Sequence, residues 1–511
     1  MFAVFFKWWR TLNAVRQNRV KGNMKQHLSI IIIGASGDLA TKKIFPALFA
    51  LYCRKLLPEP FSCCGFARTA MDVDTFREML KRHLTCRYAP DEEECPALMD
   101  KFLARCFYVT GQYDLHEDYK RLADILDKNE KDGLSVTRIF YYSIPPFLFI
   151  PVSHSLKQAG LTTDIADKRL NRAVIEKPFG RNRASSDRLT RELATVFSEA
   201  QTYRIDHYLG KEVIQNLMAL RFANLVLEPL WNRVNIAHVQ ITWMEDIGVE
   251  GRAGYFDAYG IIRDVMQNHL LQMLALTAMS EPLSLNPEYV RDEKVKVLRS
   301  VAPVTLNDIV VGQYTGAEYK GEKRRGYLEE DGVPPDSITP TYAAAALKIR
   351  NRRWDGIPFL IRAGKGLNDR KTEIRVVFRD VPANIFGAVS TPPDANELVI
   401  RVQPDAGISL SLMNKKPGLP MSLHKTDLNL SYADVFPEEI PDAYESLILD
   451  VINGDKSLFI RADELAAAWD VFTPVLSELE SCTIRPQEYP FGSEGPRSAV
   501  ALAALYNTHW R

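Results

Sequence analysis

The chain has 511 residues, of which 46% are hydrophobic and 25% charged, a composition typical of a globular protein and unlike a disordered or collagen-like one. This length exceeds what one hydrophobic core usually organises, so two or three domains are expected. Lys plus Arg and Asp plus Glu both number 64, which excludes an overall positive charge for binding nucleic acid. No apolar run approaches the roughly 18 residues of a membrane-spanning helix, so no integral membrane segment is predicted.

The first 37 residues contain Arg and Lys but neither Asp nor Glu, and their apolar residues recur at helical spacing at Phe5, Trp8, Trp9, Leu12 and Val15. This pattern is consistent with a targeting sequence or with a helix on a membrane surface. A disordered or loosely docked extension is the alternative. A cytoplasmic location is expected, and an organellar one if residues 1–27 act in targeting.

The chain has seven cysteines, at positions 53, 63, 64, 86, 95, 106 and 482. They form no C-x-x-C pair and no Cys/His spacing that indicates zinc, so no metal site is predicted. This usage favours a reducing compartment. The adjacent Cys63 and Cys64 are expected to pack along a buried strand, and a redox role is the alternative.

The first predicted element is a strand at residues 29–33, and a glycine turn and a helix follow it. Gly34 and Gly37 let a backbone approach a pyrophosphate closely where such a helix begins. The spacing lacks the full G-x-G-x-x-G and is weak on its own. Further strands at 62–67, 137–143 and 172–175 indicate a doubly wound, Rossmann-like α/β domain.

Coenzyme choice is predicted from Arg68, at the end of the second strand. An acid at this position would bind the ribose of NAD, whereas a guanidinium suits a 2′-phosphate. NADP is therefore predicted, with Ser36 and Lys43 as further contacts. A solvated surface charge is the alternative for Arg68.

Glu176-Lys177-Pro178 follows the strand at 172–175, at the end where open α/β sheets bind their ligands. Lys177 is placed to contact both coenzyme and substrate. An ordinary surface lysine is the alternative, and the tripeptide by itself indicates a class of sugar oxidoreductases.

The second half of the chain changes to alternating strands without intervening helices, which predicts a large, mainly antiparallel sheet. These strands lie at 239–243, 347–350, 359–362, 374–378 and 398–402. Helices at about 261–279 and 462–480 make this part α+β. The predicted division is an extension at 1–27, a Rossmann-like domain at 28–205 and an α+β domain at 206–511.

Between the two domains, the run from Arg204 to Glu212 places an acid, an imidazole, a phenol and an ammonium before a predicted helix. The N-terminus of a helix attracts anions. His207, Tyr208 and Lys211 therefore predict a phosphate site, and a salt-bridged polar turn is the alternative.

Four motifs together resemble the glucose-6-phosphate dehydrogenase family. They are Gly34-Ala35-Ser36-Gly37-Asp38-Leu39, Glu176-Lys177-Pro178-Phe179-Gly180, Arg204-Ile205-Asp206-His207-Tyr208-Leu209-Gly210-Lys211 and Ile262-Arg263-Asp264-Val265-Met266-Gln267-Asn268-His269. Their order is that of the family, and the resemblance extends from about residue 28 to about residue 496. It implies oxidation of D-glucose 6-phosphate to 6-phospho-D-glucono-1,5-lactone with hydride transfer to NADP, the first oxidative step of the pentose phosphate pathway.

The resemblance also implies roles for individual residues. His269 would be the general base and Asp206 its orienting partner. Asp264 lies five positions before His269, which on an α-helix is a rotation of roughly 140° and leaves its side chain on another face. The implied substrate contacts are Lys177, His207, Tyr208, Lys211, Glu245, Asp264 and Lys365. The implied coenzyme contacts are Gly34, Ser36, Gly37, Asp38, Leu39, Lys43, Arg68 and Lys177.

Members of the family form homodimers or homotetramers, and some bind a second, structural NADP. Part of that second site is kept at Arg362, Lys371, Arg375, Arg401 and Gln403. The chain departs from it at Ser409, Ser411, Asn429 and Glu494. Because a carboxylate in place of a guanidinium opposes phosphate binding, this site is predicted to be weak or absent.

Two other functions stay open on the sequence. A different nucleotide-dependent sugar oxidoreductase would also carry Glu-Lys-Pro, but it would leave the phosphate motif unexplained. A catalytically silent NADP-binding regulator usually lacks the base or its orienting group, whereas Asp206, His269, Lys177 and Lys211 are all present here.

Overall fold

A computed structural model describes residues 26–88, 94–130, 133–165, 168–386, 394–436 and 438–511. The predicted N-terminal helix lies outside these residues. The chain divides into two compact units. The first contains described residues of 1–180, 185–210 and 441–462, and the second contains described residues of 181–184, 211–440 and 463–511.

The strands and helices alternate in the first part of the chain, and strands predominate in the second. The strands are β1 (Gln26–Ile33), β2 (Phe61–Ala67), β3 (Cys106–Thr110), β4 (Ser135–Tyr142), β5 (Arg169–Ile175), β6 (Thr202–Ile205), β7 (Ile236–Met244), β8 (Ile309–Thr315), β9 (Ala317–Tyr319), β10 (Glu322–Arg324), β11 (Tyr342–Lys348), β12 (Pro358–Gly364), β13 (Lys371–Phe378), β14 (Glu397–Gln403), β15 (Gly407–Lys415), β16 (Leu423–Ser431), β17 (Phe459–Ile460) and β18 (Gln487–Pro490). The α-helices are α1 (Phe45–Cys53), α2 (Val73–Lys81), α3 (Glu94–Leu103), α4 (His116–Asn129), α5 (Phe149–Gln158), α6 (Arg183–Ala194), α7 (Glu212–Phe222), α8 (Ala253–Ile261), α9 (Leu271–Ala278), α10 (Pro287–Ser300), α11 (Tyr432–Val435), α12 (Ala443–Asn453), α13 (Ala462–Ser481) and α14 (Arg497–Ala504). Two π-helical segments, Ala40–Ile44 and Ile262–Leu270, lead directly into α1 and α9.

The first unit is built on a seven-stranded sheet in the order β17-β6-β5-β4-β1-β2-β3. Its neighbouring strands are parallel except for β17, which pairs antiparallel with β6. The central strands β1 and β4 are buried along almost their whole length, as expected for parallel strands covered on both faces. The predicted Rossmann-like fold is confirmed.

The second unit is built on a nine-stranded sheet in the order β16-β15-β14-β13-β7-β12-β11-β8-β18. Pairing is antiparallel except between β7 and β12 and between β8 and β18. The predicted large, mainly antiparallel sheet is confirmed. Strand β7 lies in its interior and is almost wholly buried, because Ile236, Val239 and Ile241 supply apolar contacts.

The structure divides the chain differently from the prediction, which assigned everything after residue 205 to the second domain. Residues 181–184 belong to the second unit and residues 206–210 to the first. Residues 441–462 also belong to the first unit. They contribute β17 to the parallel sheet and the helix α12.

The cysteines follow the prediction only in part. Cys63 and Cys64 are free and buried in β2, as predicted. Cys86 and Cys95 form a disulfide, with Cα atoms 5.9 Å apart, whereas the cysteine usage favoured a reducing compartment. Within the ranges given above, every helix is too short or too polar to cross a bilayer.

Candidate active site

The predicted coenzyme turn follows β1 in the first unit. Gly34 has a φ of 88°, and a Cβ there would collide with the carbonyl oxygen of Ser143, so only glycine fits. Its N–H donates to the carbonyl of Phe66 (2.8 Å), and the N–H of Gly37 donates to the carbonyl of Gly34 (3.0 Å). The turn is therefore tight and fixed at the carboxyl ends of β1 and β2, where dinucleotide-binding sheets hold a pyrophosphate.

Beside this turn, Arg68 follows β2 and is exposed. Its guanidinium lies 5.2 Å from the ring centroid of Tyr113, which holds the cation in place. The hydroxyls of Ser36 and Thr69 lie 3.1 Å apart. Sequence reasoning missed Thr69 and Tyr113, although Thr69 directly follows Arg68. One cation and two hydroxyls at this edge fit a phosphate ester.

The other predicted coenzyme contacts have partners of their own. The ammonium of Lys43 lies 3.3 Å from Asp442, and both side chains are partly exposed. Asp38 forms an exposed ion pair with Lys42 at 3.0 Å. Leu39 immediately precedes the π-helical segment. The structure therefore brings Ser36 toward the loop that carries Arg68, and Lys43 toward Asp442.

Lys177 follows β5, and its peptide bond to Pro178 is cis. The preceding residue, Glu176, is 9% exposed and accepts a hydrogen bond of 2.6 Å from the hydroxyl of Tyr141. Burial raises the pKa of Glu176 to about 7, and its hydrogen bonds and Lys177 oppose this shift. The first unit thus places a titratable, buried carboxyl next to the predicted bridging lysine.

The loop after β6 carries Asp206, His207 and Tyr208. Asp206 is 1% exposed, and its Oδ1 accepts the backbone N–H of Tyr208 at 2.9 Å. The carbonyls of Asp206 and His207 accept the N–H groups of Leu209 (3.0 Å) and Gly210 (3.2 Å). These bonds fold the loop into a compact turn, so the backbone fixes where each functional side chain begins.

In the second unit, α7 begins directly after Lys211, as predicted. The carbonyl of Lys211 accepts the N–H groups of Ile214 and Gln215 in the first turn. Its ammonium donates to Oε1 of Gln403 at 2.9 Å. Gln403 ends β14, so a residue from the large sheet sets the direction of the Lys211 side chain.

Glu245 and Lys365 form an ion pair. Glu245 follows β7 and Lys365 follows β12, and these neighbouring strands run parallel, so both residues emerge at one edge of the sheet. The ammonium also lies 5.3 Å from the ring centroid of Trp243 and 5.7 Å from that of Phe256. Two predicted substrate contacts, distant in sequence, are thereby brought together.

His269 lies on the π-helical segment Ile262–Leu270 and is 2% exposed. The prediction that Asp264 leaves on another face assumed an α-helix and is corrected here. In a π-helix the N–H groups bond five residues back, so residues five apart point in similar directions. Asp264 and His269 therefore lie toward one face of this segment, which packs against β12.

The residues that keep part of the family's structural-NADP site contact other parts of the second unit. Arg362 donates to the backbone carbonyl oxygen of Arg511 at 3.0 Å, and Lys371 donates to the same oxygen at 3.3 Å. The guanidinium of Arg362 lies 4.8 Å from the ring centroid of Trp510. Arg375 pairs with Glu397 (2.6 Å). Arg362 and Lys371, two cations that a dinucleotide phosphate would need, thus contact residues 510–511 instead.

Comparisons with known families match the whole of the two-domain arrangement. The family model described as glucose-6-phosphate dehydrogenase, NAD binding domain, matches residues 31–216. The model described as glucose-6-phosphate dehydrogenase, C-terminal domain, matches residues 218–511. Together they span nearly all of the described chain.

Individual proteins agree with these matches. The chain is 53% identical over 486 residues to glucose-6-phosphate 1-dehydrogenase 1, chloroplastic, of Arabidopsis thaliana, covering 94% of this chain and 83% of that protein. It is 47% identical over 484 residues to glucose-6-phosphate 1-dehydrogenase of Dictyostelium discoideum, covering 94% of each. A solved structure of glucose-6-phosphate dehydrogenase in complex with its substrate glucose-6-phosphate superposes with a TM-score of 0.88 at 42% identity, covering 95% of this chain and 99% of that one. The structure of glucose-6-phosphate 1-dehydrogenase from Mycobacterium avium superposes with a TM-score of 0.79 at 34% identity, covering 94% of this chain and 98% of that one.

Proposed function

The chain belongs to the glucose-6-phosphate dehydrogenase family and oxidises glucose 6-phosphate to 6-phosphogluconolactone, and we propose that its hydride acceptor is NADP. The observation that carries the assignment is the 53% identity over 94% of the chain to a glucose-6-phosphate 1-dehydrogenase. The choice of NADP rests on Arg68 and the neighbouring hydroxyls of Ser36 and Thr69. A guanidinium and two hydroxyl donors suit a 2′-phosphate, whereas a free ribose hydroxyl would be bound by a carboxylate in the place of Arg68.

His269 is the proposed general base. Its imidazole is buried on a packed helix, which restricts its rotamers, and histidine ordinarily titrates near enough to neutral pH to take up a hydroxyl proton. It removes the proton from the C1 hydroxyl of the sugar while the C1 hydrogen leaves with its electron pair, so that C1 becomes the carbonyl carbon of the lactone. NADP supplies the carbon that accepts this hydride.

Asp206 is the proposed orienting residue for His269. It is a buried carboxylate whose Oδ1 is fixed by the backbone N–H of Tyr208, so its orientation is set by the loop itself. A carboxylate in this role selects the imidazole tautomer and stabilises the imidazolium that forms.

The remaining proposed contacts orient the sugar without entering the proton transfer. His207, Tyr208 and Lys211 bind the 6-phosphate, and Lys365 adds a further cation. Glu245 and Asp264 accept hydrogen bonds from sugar hydroxyls. Because these contacts fix the position of C1, each contributes through the geometry of the reacting atoms. Lys177, following β5, contacts coenzyme and substrate.

Assembly into a homodimer or homotetramer through the large sheet is proposed as well. The terminal strand β16 and the turn before it expose apolar side chains at Leu419, Met421 and Leu428. An exposed edge strand with apolar residues pairs readily with another chain. Light scattering at several concentrations tests this, and a monomer throughout would contradict it.

The protein is also proposed to be located in an organelle. This was the alternative in the sequence analysis, in which residues 1–27 act in targeting. Relatives from Arabidopsis thaliana, Spinacia oleracea and Nicotiana tabacum are named chloroplastic. A cytoplasmic location stays a prediction of the sequence alone. Imaging of the full chain with a C-terminal fluorescent tag distinguishes the two.

The substrate and coenzyme are tested by following reduced nicotinamide in four assays, which pair glucose 6-phosphate or glucose with NADP or NAD. Reduction that requires the phosphate and has a higher kcat/KM with NADP is expected. Equal kcat/KM for the two coenzymes would contradict the NADP proposal alone. Equal rates with glucose and glucose 6-phosphate would contradict the phosphate site.

A further inference from the structure

The helix α12 contacts three parts of the first unit that carry predicted functional residues. Asp442 begins it by accepting the N–H of Tyr444 at 2.9 Å, and Asp442 also pairs with Lys43 beside the coenzyme turn. The carbonyl of Ala443 leaves no room for a side chain at Gly210, where a Cβ would lie 2.5 Å from its oxygen. The first turn of α12 therefore rests directly on the loop after β6.

Tyr444 makes two contacts from this turn. Its ring is almost parallel to the imidazole of His207, with an angle of 5° and ring centroids 6.3 Å apart. The ring of Tyr208 also lies near the imidazole, with ring centroids 5.0 Å apart and an interplanar angle of 59°. His207 thus contacts two aromatic rings, which limits the orientations of its own ring.

The carboxyl of Glu176 accepts the hydroxyl of Tyr141 at 2.6 Å, and the phenol of Tyr444 is near enough to Glu176 for the two groups to interact electrostatically. A buried carboxyl needs such partners, because its burial without them is costly. The charged or titratable groups that face Glu176 are Tyr141, Lys177, Asp206 and Tyr444. The hydroxyl of Tyr141 therefore fixes the carboxyl next to Lys177.

We propose that Tyr444 is a positioning residue for the oxidation of glucose 6-phosphate, whose ring holds the imidazole of His207. The inference rests on the proposed role of His207 in binding the 6-phosphate. It assigns a function to the segment 441–462, which returns to the first unit from far along the chain.

Two substitutions separate the ring of Tyr444 from its hydroxyl. Tyr444→Leu removes both, so KM for glucose 6-phosphate should rise about tenfold or more while KM for NADP stays within about twofold. Tyr444→Phe keeps the ring and should leave KM for glucose 6-phosphate near the wild-type value.

Tyr142→Phe is the matched control. Tyr142 is a fully buried phenol on the same strand as Tyr141, and its hydroxyl lies 2.8 Å from that of Ser153. Its loss should leave both KM values unchanged. If Tyr444→Leu does not fold, Tyr444→Met, which has a longer side chain and no ring, takes its place with the same expected rise in KM.

The inference is overturned if wild type oxidises glucose 6-phosphate while the variant without the ring at position 444 keeps the wild-type KM, or if Tyr142→Phe raises that KM as much. A wild-type protein that does not oxidise glucose 6-phosphate overturns the proposed function and the inference together.

Discussion

Lys365 and Glu245 pair with each other at the ends of the parallel strands β12 and β7. Both side chains are largely buried, with 13% and 18% of their surface exposed. A buried ion pair costs desolvation, and removing one partner leaves an uncompensated charge. Each residue therefore holds the other in place at this edge of the sheet. Both are proposed to contact the sugar phosphate there.

This pairing predicts coupled effects. Lys365→Met and Glu245→Gln should each raise KM for glucose 6-phosphate, and the double variant should lose less than the two losses combined, with a coupling of about 1–3 kcal/mol. Kinetics of the four proteins give the coupling from a double-mutant cycle. The control is Asp246→Asn, which breaks a pair with the exposed Lys320 and should change KM little. Additive losses would show that the two residues act independently.

Arg68 should determine coenzyme preference. Arg68→Leu removes a charge-assisted contact worth about 1.5–3 kcal/mol, so kcat/KM with NADP should fall about tenfold to a hundredfold. The value with NAD should change by less than about threefold, because its ribose carries no 2′-phosphate. Steady-state kinetics with both coenzymes measure this. Lys81→Met, which removes another exposed cation of the first unit, is the control, and an equal fall for NAD and NADP would refute the role.

A single NADP should bind to each subunit. Arg362 and Lys371 donate to the carbonyl oxygen of Arg511, and Arg375 pairs with Glu373 and Glu397, so these cations are already neutralised or hydrogen-bonded within the chain. Burial also lowers the pKa of Lys371. Titration calorimetry should therefore give one site per subunit, and a stoichiometry of two would contradict the prediction.

His238 should make the second unit less stable in mild acid. Burial is the main cause that lowers its pKa to about 4, and the charges of Arg511, His509 and Arg375 add to it. The unfolded chain binds a proton at His238 below pH of about 6.5, whereas the folded chain does so only near pH 4. Stability is thus lost as the pH falls from about 6.5 to about 4, by about 3 kcal/mol in total.

His238→Gln should reduce this loss, because glutamine does not titrate and keeps hydrogen-bonding groups for Thr508. Urea unfolding at pH 7.5 and pH 5 measures the difference for wild type and variant. His424→Gln, at an exposed position, is the control. Equal pH dependence in wild type and His238→Gln would contradict the assignment.

Elements with a strong local pattern were predictable from the sequence. The β-branched run of β1, the glycine turn and the start of α7 after Lys211 all occur where the residues placed them. Strand β11 begins at Tyr342, five residues before its prediction, because the alanines at 343–346 give no alternation of apolar and polar side chains. The two-residue strand β17 is too short to carry any pattern.

Features that depend on pairing at long range were beyond the sequence. The Glu245–Lys365 pair follows from the register of β7 against β12, and the contact of Tyr444 with His207 follows from the return of 441–462 to the first unit. The apolar residues around His269 recur in a pattern that fits an α-helix as well as a π-helix. The sequence alone therefore could not reveal the relation of Asp264 to His269.

The proposed role of His269 is tested most directly by the rate of NADP reduction at saturating glucose 6-phosphate in wild type and His269→Asn. Asparagine is close in size but accepts no proton at neutral pH, so kcat should fall at least about a hundredfold, in line with general base catalysis. KM for glucose 6-phosphate should change far less. A variant whose kcat stays within about threefold of wild type would contradict the assignment of the base.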